Sequence, residues 1–143
     1  MEIRYALRLP RDAVTVPLVR TICRDAMSRL GVTPDCQGDV ALALTEACAN
    51  VVQHAGGDES DYEVQIEFCG GVCHIRVRDR GEGIDLRDSS RTETVLDQDS
   101  GRGIVLMRLM VDRIAFESQP EDGTIVHLQK RLELEENALL AAL

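Results

Sequence analysis

Residues 62–79 read Tyr-Glu-Val-Gln-Ile-Glu-Phe-Cys-Gly-Gly-Val-Cys-His-Ile-Arg-Val-Arg-Asp, two runs of mostly alternating polarity on either side of Gly70-Gly71. A period of two marks strands that bury one face, and a Gly-Gly pair between them marks a two-residue hairpin turn. The chain must therefore cover one face of an antiparallel pair. The cover is legible upstream, where Val40, Leu44, Ala47 and Val51 recur at spacings of four, three and four, the apolar stripe of an amphipathic helix. Read along its length, the chain gives a strand over 2–9, helices over 12–30 and 34–55, the hairpin 62–69 and 72–79, a helix over 102–110, strands over 113–118 and 124–131, and a short C-terminal helix over 132–143. Strands grouped apart from helices predict an α+β two-layer sandwich, with a mixed, mainly antiparallel sheet and helices on one face.

Three polar constellations interrupt this apolar frame. The strand ending at Asp79 runs into Gly81 and Gly83, so a carboxylate is held beside a backbone that other atoms can approach closely. A carboxylate only accepts hydrogen bonds, which suits an amine donor. On the helix over 34–55, Glu46, Asn50 and His54 lie four residues apart and stack one turn above another, away from the apolar stripe. A solvated stripe usually carries Lys, Arg and Glu pairs; this one carries a lone acid and a carboxamide among small apolar residues, as a pocket wall would. The third constellation is Gly101-Arg102-Gly103 at a helix start, where bare amides attract anions and glycines let a phosphate reach them. Between the first and third runs the polar segment 84–100, which has no apolar period and has the layout of a lid.

Composition narrows the partners. A length of 143 residues, 44% of them hydrophobic, suits one domain spanning 1–143. A net charge of −9 and only 3% aromatic residues disfavour direct nucleic-acid binding, which needs basic stripes and stacking platforms. No run approaches a membrane span or a signal peptide, so a cytoplasmic protein with protein partners and no membrane contact is expected. Five cysteines placed within predicted strands and helices suit reduced core thiols.

A Rossmann fingerprint would need its glycines to open a helix straight after a strand, and here the polar segment follows instead; a Walker A sequence is absent. Glu46-x-x-x-Asn50, Asp79-x-Gly81-x-Gly83, Gly101-x-Gly103 and Gly123-Thr124 together resemble, in order and spacing, the Bergerat ATP-binding fold of the GHKL superfamily. The branch of bacterial anti-sigma-factor serine/threonine kinases fits best. The resemblance implies ATP and Mg²⁺ as cofactors, Asp79 as acceptor of the adenine amine, Asn50 as the magnesium ligand and Glu46 as general base. It also implies that Gly81 and Gly83 form the nucleotide turn, that Gly101, Arg102 and Gly103 contact the phosphates, and that Thr124 lies near the adenine edge. The implied partners are a sigma factor and an anti-sigma-factor antagonist, with the chain acting as a homodimer. A segment 84–100 shorter than in that branch keeps a second reading open, a nucleotide-gated binding module without kinase activity; a detached histidine-kinase-type ATPase domain is the third.

Overall fold

A computed structural model of the chain describes residues 2–53, 61–79, 98–119 and 123–139, with the backbone alone at 98–102 and 119. Its elements are β1 (Glu2–Leu9), α1 (Thr15–Leu30), α2 (Pro34–Gln53), β2 (Tyr62–Cys69), β3 (Val72–Asp79), α3 (Gln98–Met110), β4 (Arg113–Gln119) and β5 (Gly123–Arg131). The strands form one sheet in the order β1-β2-β3-β5-β4. The hairpin has the expected bounds, and Gly70 and Gly71 turn it with φ of 59° and 77°, left-handed values that a side chain would resist.

Every pairing in this sheet is antiparallel, which corrects the expectation of a mixed one. The crossover through α3 does return the chain parallel to β3, as β4. The β4–β5 hairpin then folds β5 back between them, so β3 and β4 never pair.

Alternation along the strands sends Tyr62, Val64, Ile66 and Phe68 of β2 and Cys73, Ile75 and Val77 of β3 into one core. The same core takes Val19, Cys23 and Met27 from α1, Val40, Leu44, Ala47 and Val51 from α2, and Met107 from α3. The three helices among the described residues thus lie on one sheet face, with α2 packed against both α1 and α3. The other face is polar and carries cross-strand ion pairs such as Arg4–Glu67 at 2.8 Å and Arg8–Glu63 at 3.0 Å. Exposed pairs of this kind contribute about 0–1 kcal/mol each, so helix burial and not the charged face holds the layers together.

α2 starts where Thr33 Oγ1 accepts from the Cys36 N–H at 3.4 Å and Pro34 occupies the first helical position. α1 starts at Thr15, later than the expected 12, because Asp12 folds a turn of its own: its Oδ1 accepts from the Val14 N–H at 3.0 Å. The expected C-terminal helix is corrected over 132–135, and its residues 140–143 lie outside the described residues. The Leu132 N–H donates to Gly71 O at 2.8 Å, Leu134 bridges Val32, and the Glu135 N–H donates to Gly31 O at 2.8 Å. The β2–β3 turn and the α1–α2 connection offer these partners to an extended chain and not to a helix, so residues 132–135 run as an added strand-like strap. Leu132 and Ala138 are buried, and Ala138 packs against Gly31, so the described part of the tail docks on the chain's own core.

Four cysteines, Cys23, Cys36, Cys48 and Cys73, are buried and free, while Cys69 is exposed. Burial pushes the Cys23 and Cys48 thiols up to about 12 and the Cys73 thiol well above its ordinary value. The reactive species is the thiolate, so at neutral pH a maleimide is expected to label the folded chain once, at Cys69, and the denatured chain five times. Mass spectrometry of the two samples counts the labels.

Candidate nucleotide and phosphoryl-transfer site

One rung crosses all five strands: Leu9 opposite Tyr62, Tyr62 opposite Asp79, Asp79 opposite Thr124, and Thr124 opposite Ser118. Its first four members are buried. The period that sends Cys73, Ile75 and Val77 inward thus sends Asp79 inward as well, and Asp79 is the one buried carboxylate among the described residues. A carboxylate at a core position costs several kcal/mol unless it meets donors, so this placement demands partners.

One partner is Arg11, which sequence reasoning missed. Its Nη2 forms an ion pair with Asp79 Oδ1, with side-chain exposures of 5% for Arg11 and 11% for Asp79. Arg11 sits in the connection that follows Leu9, and its backbone is pinned. The Asp12 N–H donates to Pro10 O at 2.8 Å, and Thr15 Oγ1 donates to Asp12 O at 2.7 Å. The same Thr15 hydroxyl lies 2.6 Å from the Tyr62 hydroxyl, on the rung itself. Burial pushes the Tyr62 hydroxyl up to about 12, so it is protonated at neutral pH and this link persists. No periodicity marks Leu9-Pro10-Arg11-Asp12; the only signal is a cation one strand pair away from a strand-end acid.

A second group forms between α2 and α3. Glu46 and Asn50 stand one turn apart on α2, half-buried, and α3 brings the backbone of Gly103 against them. A Cβ placed on Gly103 would lie 3.1 Å from Glu46 Oε2 and 3.3 Å from Asn50 Oδ1. Glycine is needed here for close approach: any side chain would push on both polar groups at once. Two oxygens of hard-donor type thus converge at a helix, the kind of set that suits Mg²⁺ shared with phosphates and water. In a mid-helix position Gly→Ala ordinarily stabilises by about 1 kcal/mol, whereas a displacement of a few tenths of an ångström in the reacting groups is enough to slow chemistry. Gly103→Ala is therefore expected to keep or raise the melting temperature while slowing phosphoryl transfer about tenfold. Thermal melts and a turnover assay on the same preparation check both halves.

α3 begins at Gln98, four residues before the expected start, so 98–100 belong to the helix and not to the predicted lid. An α-helix leaves its first four N–H groups without intrahelical acceptors, which places the Gly101 amide among the exposed donors. Gly103 lies beyond them, and its contribution is the close approach. Arg102 lies on the same first turns. Gly81, Gly83, His54 and residues 84–97 lie outside the described residues. β3 ends at Asp79 and α3 begins at Gln98, so in sequence the residues between them join the strand of the first group to the helix of the second.

This arrangement, an open antiparallel sheet with a strand-end acid and a helix-borne acid–amide pair, defines an ATPase-type nucleotide domain. The chain belongs to the histidine kinase-like ATPase domain family, whose sequence profile matches residues 9–130. It is 31% identical over 138 residues to serine-protein kinase RsbW of Bacillus velezensis, an alignment that covers 88% of this chain and 84% of the relative. Identity to serine-protein kinase RsbW of Bacillus subtilis is 30%, with the same coverage of 88% and 84%. Identity to the anti-sigma F factor of Clostridium botulinum is 28%, over 76% of this chain and 80% of that one. Among solved structures, the RsbU and RsbW domains of Rv1364c from Mycobacterium tuberculosis superpose with a TM-score of 0.71 at 18% identity, over 91% of this chain and 32% of that one. The SiaB-SiaC complex of Pseudomonas aeruginosa gives 0.67 at 13% identity, over 88% and 87%. No helix among the described residues is long and apolar enough to cross a membrane.

Proposed function

We propose that this chain is a serine/threonine protein kinase of the anti-sigma-factor type, which binds ATP with Mg²⁺, sequesters a sigma factor and phosphorylates an anti-sigma-factor antagonist. The observation that carries the reading is the convergence of Glu46 Oε2 and Asn50 Oδ1 on Gly103, inside the helix that begins at Gln98. Phosphoryl transfer asks a protein mainly to position groups and to neutralise charge, and a carboxylate one helical turn from a carboxamide supports that reading. Asn50 would hold the ion, which supplies charge neutralisation on the phosphates. Glu46 takes the proton of the attacking hydroxyl, and Asp79, with Thr124 on the neighbouring strand, receives the adenine edge. The amide of Gly101 and the guanidinium of Arg102 serve the phosphates, and Gly81 and Gly83 form the turn beside the base. The assembly is a cytoplasmic homodimer acting in bacterial transcription regulation.

Co-purification of the tagged chain from its native cells, followed by incubation with labelled ATP and Mg²⁺, tests the reading. The expected result is a sigma factor in the eluate and acid-stable label on serine or threonine of a second protein. Acid-labile label on histidine would overturn it in favour of a histidine-kinase-type domain, and nucleotide-dependent binding without any label in favour of a binding module.

A further inference from the structure

We propose that β1 is the contact between two copies of this chain, which pair their β1 strands edge to edge about a two-fold axis at Tyr5 and so join two sheets into one. The proposal rests on the homodimer part of the reading above and gives it a surface and a register. Among the described residues β1 ends the sheet, with β2 on one side and no strand on the other. An edge strand turns unpaired N–H and C=O groups outward, which makes it a template for another strand. Its side chains alternate. Glu2, Arg4, Ala6 and Arg8 lie on the polar face, while Ile3, Tyr5 and Leu7 pack half-buried against the core. Directly opposed residues of an antiparallel pair project to the same face, so a second copy has to match polar positions with polar ones and apolar with apolar.

Charge selects one register among those that remain. With Tyr5 opposite Tyr5, Glu2 of each copy faces Arg8 of the other, Ile3 meets Leu7, and Arg4 meets Ala6. A slip that centres the axis on Arg4 sets Arg4 against Arg4, and one that centres it on Ala6 sets Arg4 against Arg8 on both sides. Like charges directly opposed destabilise a pair, whereas opposite charges and apolar side chains stabilise it, so the Tyr5 register gains on both counts. Arg4 and Arg8 contact Glu67 and Glu63 within the chain, at 2.8 and 3.0 Å, and the five donors of a guanidinium leave others for the second copy. The helical layer adds apolar surface at the same end. α2 packs against both α1 and α3, and α3 against β4, so α1 closes the layer on the β1 side, and Val14 and Leu18 at its start are 68% and 51% exposed. The opposite edge, β4, also sets Arg113 against Glu117, and α3 exposes Val105 and Leu109 at that end. That strand is shorter, however, and turns Ile114, Phe116 and Ser118 inward where β1 turns Ile3, Tyr5, Leu7 and Leu9. The β1 edge is therefore the more apolar of the two.

The test combines sedimentation with cross-linking. The wild type is expected to sediment as a dimer that dissociates on dilution. In a Cys69→Ser background, Arg4→Cys with Ala6→Cys places each new thiol opposite its mate on the second copy, at a Cα separation of about 4.5–5.5 Å that a disulfide spans. Oxidation should then convert most of the chain into a covalent dimer. Ala115→Cys in the same background, a position that would face itself across a β4 pairing, should stay monomeric on a non-reducing gel. The reverse pattern overturns the inference in favour of β4, and a sedimenting dimer that cross-links at neither edge overturns it in favour of another surface. Glu2→Arg should weaken the dimer at least about tenfold, because two contacts turn repulsive at once, and adding Arg8→Glu should restore it by reversing the pair. Unchanged dissociation of Glu2→Arg, or no recovery in the double variant, overturns the Tyr5 register. A wild type that stays monomeric at all concentrations overturns the homodimer reading itself.

Discussion

Glu46→Gln is expected to slow phosphoryl transfer at least ~100-fold while ATP still binds, because a lost general base typically removes 10²–10⁴ in rate. Gln matches Glu in size, so the packing of this side chain against Gly103, where a Cβ would come within 3.1 Å of Oε2, is preserved, and only the proton acceptor is lost. Glu46→Ala serves as a control that opens space without restoring a base. Both variants leave Asp79 on β3 and Thr124 on β5 untouched. Binding by calorimetry and turnover with labelled ATP should therefore separate. Wild-type turnover in both variants would make Glu46 structural and take the kinase reading's main residue away.

How far this site was legible in the sequence depended on whether each part declared itself locally. The hairpin appears with its expected bounds because strong alternation and Gly70-Gly71 both specify it over a short range. Glu46 and Asn50 were legible because a four-residue spacing on a helix is itself a geometric statement. The start of α3 was not. Gln98, Asp99 and Ser100 have no apolar period, and two glycines follow, so local propensity argued for a loop; packing of α3 on α2 overrides it. The tail misled in the opposite direction. Leu132, Leu139, Leu140 and Leu143 fit one helical face, but the chain at Leu134 bridges Val32, a residue distant in sequence whose availability no local pattern announces. Strand order was hidden for the same reason, since alternation identifies strands and says nothing about which of them β5 separates. Arg11 is the extreme case: its ion pair with Asp79 joins two loop-proximal positions far apart in sequence, and only the rung Leu9–Tyr62–Asp79 brings them together.

That rung also sharpens the expected effect of Asp79→Asn, which should lower ATP affinity by roughly 2–4 kcal/mol, about 30- to 1000-fold. Two donors converge on this carboxylate, the Arg11 guanidinium and, in the proposed complex, the adenine amine. An Asn presents one oxygen and one NH₂ group. If its oxygen faces the amine, the NH₂ meets Arg11; if its oxygen faces Arg11, the NH₂ meets the amine. In either orientation one contact sets donor against donor, so no rotamer rescues both. The substitution also weakens a buried ion pair, and removal of one partner from such a pair typically destabilises by ~3–5 kcal/mol, less where a polar isostere remains. A fall in melting temperature is therefore expected alongside the loss of binding, and the two must be separated by titrating ATP well below the variant's transition. The Arg11→Gln, Asp79→Asn double variant decides the matter further: its donors and acceptors no longer include a buried charge, so its stability should recover toward the wild type while ATP affinity stays low. Unchanged ATP affinity in the folded Asp79→Asn protein would remove Asp79 from the adenine site.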